Sequence, residues 1–329
     1  MTIRILSLDG GGIRGIIPAM ILAEIEGRTK RPISSLFDLI AGSSTGGILA
    51  LGLSKPGNGK PRYSAEELVQ FYEDKGGTIF SRSLCHEVRS LAGLLSERYP
   101  SDGIDAVLDD YFGQAKLSES LTDLFITSYE IARRDPFFFR TTKARSDPAY
   151  DYLMKDVARA TSAAPTYFQP AKIRSEEQAA GHDRLDYFAL VDGGMFATNP
   201  GMCAFVEAKT CGTAGKHDGN GLFMVSLGTG QLARALPYAK VKDWGIVKWA
   251  KPVLDIVFDG VSDTIDYQLR QLLPADRYYR FQVSLDILGS DDMDDTSEQN
   301  LHELRTIAEE LINREGERLG RLCEQLECG

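Results

Sequence analysis

Hydrophobic positions along the chain fall into short unbroken runs that alternate with stretches of helical spacing. Ile3 to Leu8 is an apolar run with β-branched residues, which predicts a buried strand. It ends in Asp9-Gly10-Gly11-Gly12-Ile13-Arg14-Gly15, after which Ile16, Ile17, Met20, Ile21, Leu22 and Ile25 form one face of a helix. Leu39-Ile40-Ala41 repeats the theme as a short strand, passes through Gly42-Ser43-Ser44-Thr45-Gly46, and continues into an apolar helix start. Residues 55–62 are turn-rich, and Ser64 followed by Glu66 and Glu67 reads as a capped helix N-terminus. Helical patches are predicted around 84–95 and 103–112, strands over 124–129 and 136–142 with Phe137, Phe138 and Phe139 in the core, and a helix from Asp156 that Pro165 stops.

The second half continues the alternation. A polar loop over 174–187 precedes Leu190-Val191-Asp192-Gly193-Gly194, a strand end carrying a carboxylate. Residues 221–227 and 278–285 read as strands. The apolar segment from Trp244 to Phe258 is expected to pack in the core, with a lipid-facing role as the alternative. Thr296 with Gln299 matches a capping box, the acids Asp291, Asp292, Asp294 and Asp295 read as helix-start charges, and one final helix carries a leucine stripe through Leu326. No internal repeat or linker interrupts the chain, so one domain over 1–329 is expected.

Composition narrows the function classes. A net charge of −10 over 329 residues argues against a nucleic-acid partner, and the basic cluster Arg133, Arg134, Arg140, Lys143 and Arg145 is expected to be a solvated face, with contact to lipid headgroup phosphates as the alternative. Five cysteines without a Cys-x-x-Cys pair fit reduced thiols in a cytoplasmic setting. No signal-peptide layout is seen, and no apolar run approaches the ~20 residues of a membrane span.

Three stretches carry candidate chemistry. Gly42-Ser43-Ser44-Thr45-Gly46 between a strand and a helix is the context of a nucleophile elbow, with Ser44 raised on a turn that glycine permits; an ordinary serine-containing loop has the same composition. The run Gly10-Gly11-Gly12 supplies clustered backbone amides suited to a developing negative charge. The same loop matches Gly-x-Gly-x-x-Gly at Gly10, Gly12 and Gly15, so a dinucleotide site is the competing reading; its acidic residue would be Asp38, which precedes an apolar run where it should follow one. Asp192 is the candidate base, and a turn aspartate in Asp-Gly is its plain alternative. Successive parallel strands joined by a right-handed crossover bring the glycine loop and the elbow to one sheet edge.

These three stretches, in this order, resemble the patatin-like phospholipases, serine acyl hydrolases of the patatin family. The likeness extends to residues 160–168, Asn199-Pro200, Leu227-Gly228-Thr229-Gly230 and 294–301. The resemblance implies an α/β protein, a three-layer α/β/α patatin-like fold with a mostly parallel central sheet. It further implies Ser44 as nucleophile, Asp192 as its partner in a dyad, and Gly10, Gly11, Gly12 and Arg14 as the oxyanion hole. The expected substrate is a membrane phospholipid or acylglycerol, met by peripheral membrane contact, with no cofactor and no metal. Of the four histidines, His86, His182, His217 and His302, chain order leaves His217 or His302 for a triad, and neither has motif-like surroundings. A nucleotide-binding protein and a non-catalytic storage or interaction protein on the same fold are the alternatives.

Overall fold

In a computed structural model, residues 2–80, 99–174, 186–210, 221–231, 235–285 and 292–328 are described. β1 (Ile3–Leu8) is the strand on which the sheet is built, and its alternate side chains enter two different cores. Leu6 and Leu8 join a large cluster on one face, while Ile5 joins a smaller one on the other. β2 (Leu39–Ser43) and β3 (Asp123–Glu130) divide in the same way, Ile40, Leu124 and Ile126 to one side and Leu39, Ala41 and Phe125 to the other. A strand apolar on both faces is stable only between two helical layers.

The remaining strands are β4 (Asp135–Arg140), β5 (Ala171–Arg174), β6 (Tyr187–Asp192), β7 (Leu222–Leu227) and β8 (Tyr278–Phe281). Sheet order is β8-β7-β1-β2-β3-β6-β5, with β4 also paired to β3. The run from β8 to β3 is parallel, and β4, β6 and β5 join antiparallel. Helices cover both faces. The large cluster receives α1 (Ile16–Thr29), α2 (Thr45–Ser54), α3 (Ala65–Ile79), α4 (Ser101–Phe112), α5 (Met154–Thr161), and the C-terminal α8 (Glu298–Arg314) and α9 (Gly316–Glu327). The small cluster receives α6 (Gly201–Thr210) and the distal end of α7 (Ile246–Leu272). This is the expected three-layer α/β/α arrangement with a mostly parallel sheet.

Several local expectations change. The last helix is two, because the chain turns at Glu315. Ser297, not Thr296, caps α8 by accepting the Asn300 amide, and Gln299 turns to Glu303 instead of reaching back. Asp294 is buried against the Tyr99 hydroxyl, not displayed as a helix-start charge. The strand over 136–142 ends at Arg140, and the next residues form a one-turn-plus helix, Thr141–Ser146. In the basic cluster Arg140, Lys143 and Arg145 pair with Glu207, Asp147 and Asp123, as a solvated face would. The segment from Trp244 onward does not pack in the core: Ile246, Val253, Ile256 and Val257 are exposed, because only the far end of α7 meets the sheet layer. The helical patch over 84–95, most of the polar loop, His86, His182, His217 and Asp291 lie outside the described residues.

One buried ion pair ties the layers together at the C-terminal end of β1. Arg280 on β8 reaches across Ser226 of β7 to Asp9, with N–O 2.6 Å, and Ser262 of α7 donates to the same carboxylate oxygen at 3.1 Å. Removing one partner strands a charge where water cannot reach it. Arg280→Met is therefore expected to cost about 3–5 kcal/mol in chemical denaturation, and adding Asp9→Asn to it should recover part of the loss.

Candidate active site

Strand register delivers the two central side chains. On β3, Thr127 pairs with Ser43 of β2 and Phe138 of β4, whereas the next residue, Ser128, pairs with Asp192 of β6 and Phe137 of β4. β4 thus holds one edge of β3, and the other edge passes from β2 to β6 between two adjacent residues. Ser44 leaves the end of one strand where Asp192 ends the other.

The elbow explains its own sequence. Ser44 sits at φ 54°, ψ −125°, a conformation that side-chain-bearing residues rarely adopt. A Cβ at position 42 would stand 2.3 Å from the Gly46 carbonyl oxygen, and one at position 46 would stand 2.2 Å from that of Leu8. Both flanking glycines are therefore required by close backbone approach. The Ser44 amide donates to Thr161 Oγ1 at 2.9 Å, and the Thr161 hydroxyl donates to the Thr127 carbonyl at 2.7 Å, which fixes the turn to β3. The Ser44 carbonyl accepts from Gly47 and Ile48 at the start of α2.

Ser44 Oγ donates to Asp192 Oδ2 at 2.6 Å. The other oxygen, Oδ1, accepts the Gly194 amide at 2.7 Å, so the carboxylate is gripped from both sides. Asp192 is only 4% exposed. Burial lifts its pKa from 3.8 to about 7, and the hydrogen bonds from Ser44 and Gly194 limit the rise. A carboxylate poised near neutrality is a far better proton acceptor than an ordinary aspartate.

The glycine loop is held by its carbonyls. Thr229 Oγ1 donates to the Gly10 carbonyl at 2.6 Å, and Arg14 donates to the Gly11 carbonyl through both its amide and Nε at 3.3 Å. In a trans peptide the N–H points opposite to the C=O, so both anchors turn the Gly11 and Gly12 amides the other way. Among the described residues neither amide is engaged. Two expectations about this loop need correction. The Gly10 amide is spent on the Thr198 carbonyl at 2.9 Å, so Gly10 is not a free donor. Arg14 is buried behind the loop and does not line the cleft, because its side chain turns to Gly11 and faces Asp259 of α7. Thr229 was legible only as part of Leu-Gly-Thr-Gly, with nothing local to indicate its reach across 219 residues.

Gly10, Gly11, Gly12, Ser44 and Asp192 line one cleft. Its walls are mostly apolar, with Ile13, Ile48, Phe71, Ile79, Phe80, Ile104 and Phe168 along them and Phe258 and Met293 also contributing, and Thr45, Tyr72, Ser162 and Thr198 among the polar members. Asp38, the acid needed for a dinucleotide site, accepts the Arg4 amide at the opposite end of β1 from the glycine loop. His302, the one histidine among the described residues, is exposed on α8.

Residues 6–202 match the family described as Patatin-like phospholipase. The chain belongs to the patatin-like phospholipase family. That family is one of lipid acyl hydrolases. Among its patatin-like relatives are Patatin-like protein 4 of Arabidopsis thaliana, 31% identical over 94% of this chain and 83% of the relative, and Patatin-like protein 1 of Oryza sativa subsp. indica, 33% identical over 80% and 69%. A Solanum tuberosum relative named Probable inactive patatin-3-Kuras 1 is 29% identical over 95% of this chain and 87% of its own.

Because folding raises the Asp192 pKa, the protonated form is the one the fold favours, and the charged form costs stability as pH rises from 3.8 through about 7. Asp192→Asn should therefore melt higher than wild type at pH 8, with the gain vanishing near pH 4, in thermal scans across that range. Thr229→Val should lower kcat on an ester by about tenfold or more with KM little changed, while Thr229→Ser, which keeps the hydroxyl, should retain most of the rate.

Proposed function

We propose that this chain is a serine acyl hydrolase that cleaves fatty-acyl esters of phospholipids or acylglycerols, a phospholipase A or lysophospholipase type activity, through a Ser44–Asp192 dyad. The observation that carries the reading is the 2.6 Å bond from Ser44 Oγ to a buried carboxylate at the head of an apolar cleft. Ser44 Oγ attacks the ester carbonyl carbon as its proton passes to Asp192 Oδ2. The Gly11 and Gly12 amides hold the oxyanion, worth about 2.7–4 kcal/mol for a single donor in a comparable hole. Collapse of the tetrahedral intermediate expels the alcohol or lysolipid, which takes the proton from Asp192 and leaves an acyl-Ser44. Water then gives a proton to Asp192 and attacks the acyl carbonyl, and the fatty acid leaves as Ser44 regains its hydrogen. The apolar walls receive the acyl chain, at roughly 0.8 kcal/mol for each buried methylene. A single domain over 1–329, acting in the cytoplasm with peripheral contact to lipid, completes the reading.

The competing reading of a non-catalytic protein on the same fold is separated by one experiment. Wild type is expected to be labelled at Ser44 by a fluorophosphonate and to release fatty acid from a mixed phospholipid and acylglycerol substrate, read by mass spectrometry. Ser44→Ala should lose labelling and about four orders of magnitude of turnover while keeping its folded spectrum. Hydrolysis that survives in Ser44→Ala would overturn the dyad.

A further inference from the structure

α7 carries two apolar faces on opposite sides of one helix. The inner face is seated: Leu269 and Ser262 are buried, Ile265 packs on the small core, and Phe258 lines the cleft. The outer face, advancing by 100° per residue, gathers Ile246, Trp249, Val253, Ile256, Val257 and Tyr267 within a quarter to a third of the circumference. Ile246 is 90% exposed and Tyr267 66%, with Val253, Ile256 and Val257 each above 40%. An uncovered apolar stripe along a 27-residue helix needs an occupant.

We infer that the outer stripe of α7 is the surface by which the protein seats on an anionic lipid layer, with the mouth of the cleft held at that layer. This deepens the acyl hydrolase reading above and rests on it. Two observations select lipid over other occupants. The first is continuity: Phe258, next in the chain to the exposed Ile256 and Val257, turns from the other side of the same helix to line the cleft that holds Ser44, so the helix that bears the stripe also walls the cleft. The second is charge. Lys240, Lys242 and Lys248 against Asp243, all exposed, leave the N-terminal end of the helix net positive in a chain whose net charge is −10, whereas Asp255, Asp259, Asp263 and Asp266 follow on later turns. The tryptophan pair Trp244–Trp249, ring centroids 5.4 Å apart, sits at the same end, where an amphipathic ring is suited to a headgroup boundary. The helix also touches the catalytic loop from behind, through Ser262 on Asp9 and through Asp259, which faces Arg14. Seating on lipid therefore acts on the element that anchors the glycine loop.

The test compares wild type with Val253→Ser/Val257→Ser in three measurements: co-sedimentation with phosphatidylcholine vesicles with and without phosphatidylglycerol, hydrolysis of a water-soluble short-chain ester, and sedimentation velocity without lipid. Wild type is expected to bind vesicles, more tightly when phosphatidylglycerol is present. The double variant should bind about tenfold more weakly, with melting temperature and soluble-ester turnover unchanged. Equal vesicle binding by both proteins would overturn the inference. So would a wild-type dimer that the variant converts to monomer with no change in vesicle binding, since the stripe would then serve a second copy of the chain. Vesicle binding is read without turnover, so absence of ester hydrolysis in wild type would count against the dyad and leave the stripe to be judged on its own result.

Discussion

The site depends on a change of neighbour along one edge of β3. Between Thr127 and Ser128 the adjoining strand switches from parallel β2 to antiparallel β6. Backbone hydrogen bonding sets that register to within one residue, and a slip by one would send every side chain to the opposite face. The serine and the carboxylate are thus held by main-chain pairing rather than by packing of flexible loops. Thr161 reinforces the junction by linking the Ser44 amide to the Thr127 carbonyl.

Satisfying carbonyls creates the unsatisfied donors. A loop of three glycines is free to turn its peptide planes many ways, and such freedom works against a preorganised anion site. Thr229 and Arg14 remove it by occupying the carbonyl side of two successive peptides. The Asp9–Arg280 pair, at the root of the same loop, brings β8, β7 and α7 to bear on its position. The desolvation that makes this pair costly is also what concentrates its hold on one geometry.

Much of this was legible in the sequence, and what was not has identifiable causes. The strand–turn–helix units were visible because their apolar runs are buried on both faces, and the elbow glycines because a close backbone approach admits no other residue. Asp192 stood out only in the company of the other motifs, since its pairing with Ser44 arises from register 148 residues away. Gly10 was misjudged as a donor because the partner that takes its amide, Thr198, comes from the turn after β6. Periodicity finds an apolar face on α7 yet carries no information on whether anything covers it, so the expectation of core packing failed there. The break at Glu315 was hidden by leucine spacing that continues in phase across both helices.

Ser44 uses its own amide to brace the turn, so in the proposed dyad it would contribute its hydroxyl and nothing else. The groups that would steady the negative charge belong to a separate loop, rooted in a different strand and moored by residues from the far half of the chain. On the proposed chemistry, attack and charge stabilisation would therefore be independently adjustable in this architecture. On that chemistry, drift in the moorings would weaken the hold on the oxyanion by degrees while the Ser44 oxygen stays in place, so an intact Gly-x-Ser-x-Gly is by itself a poor gauge of turnover.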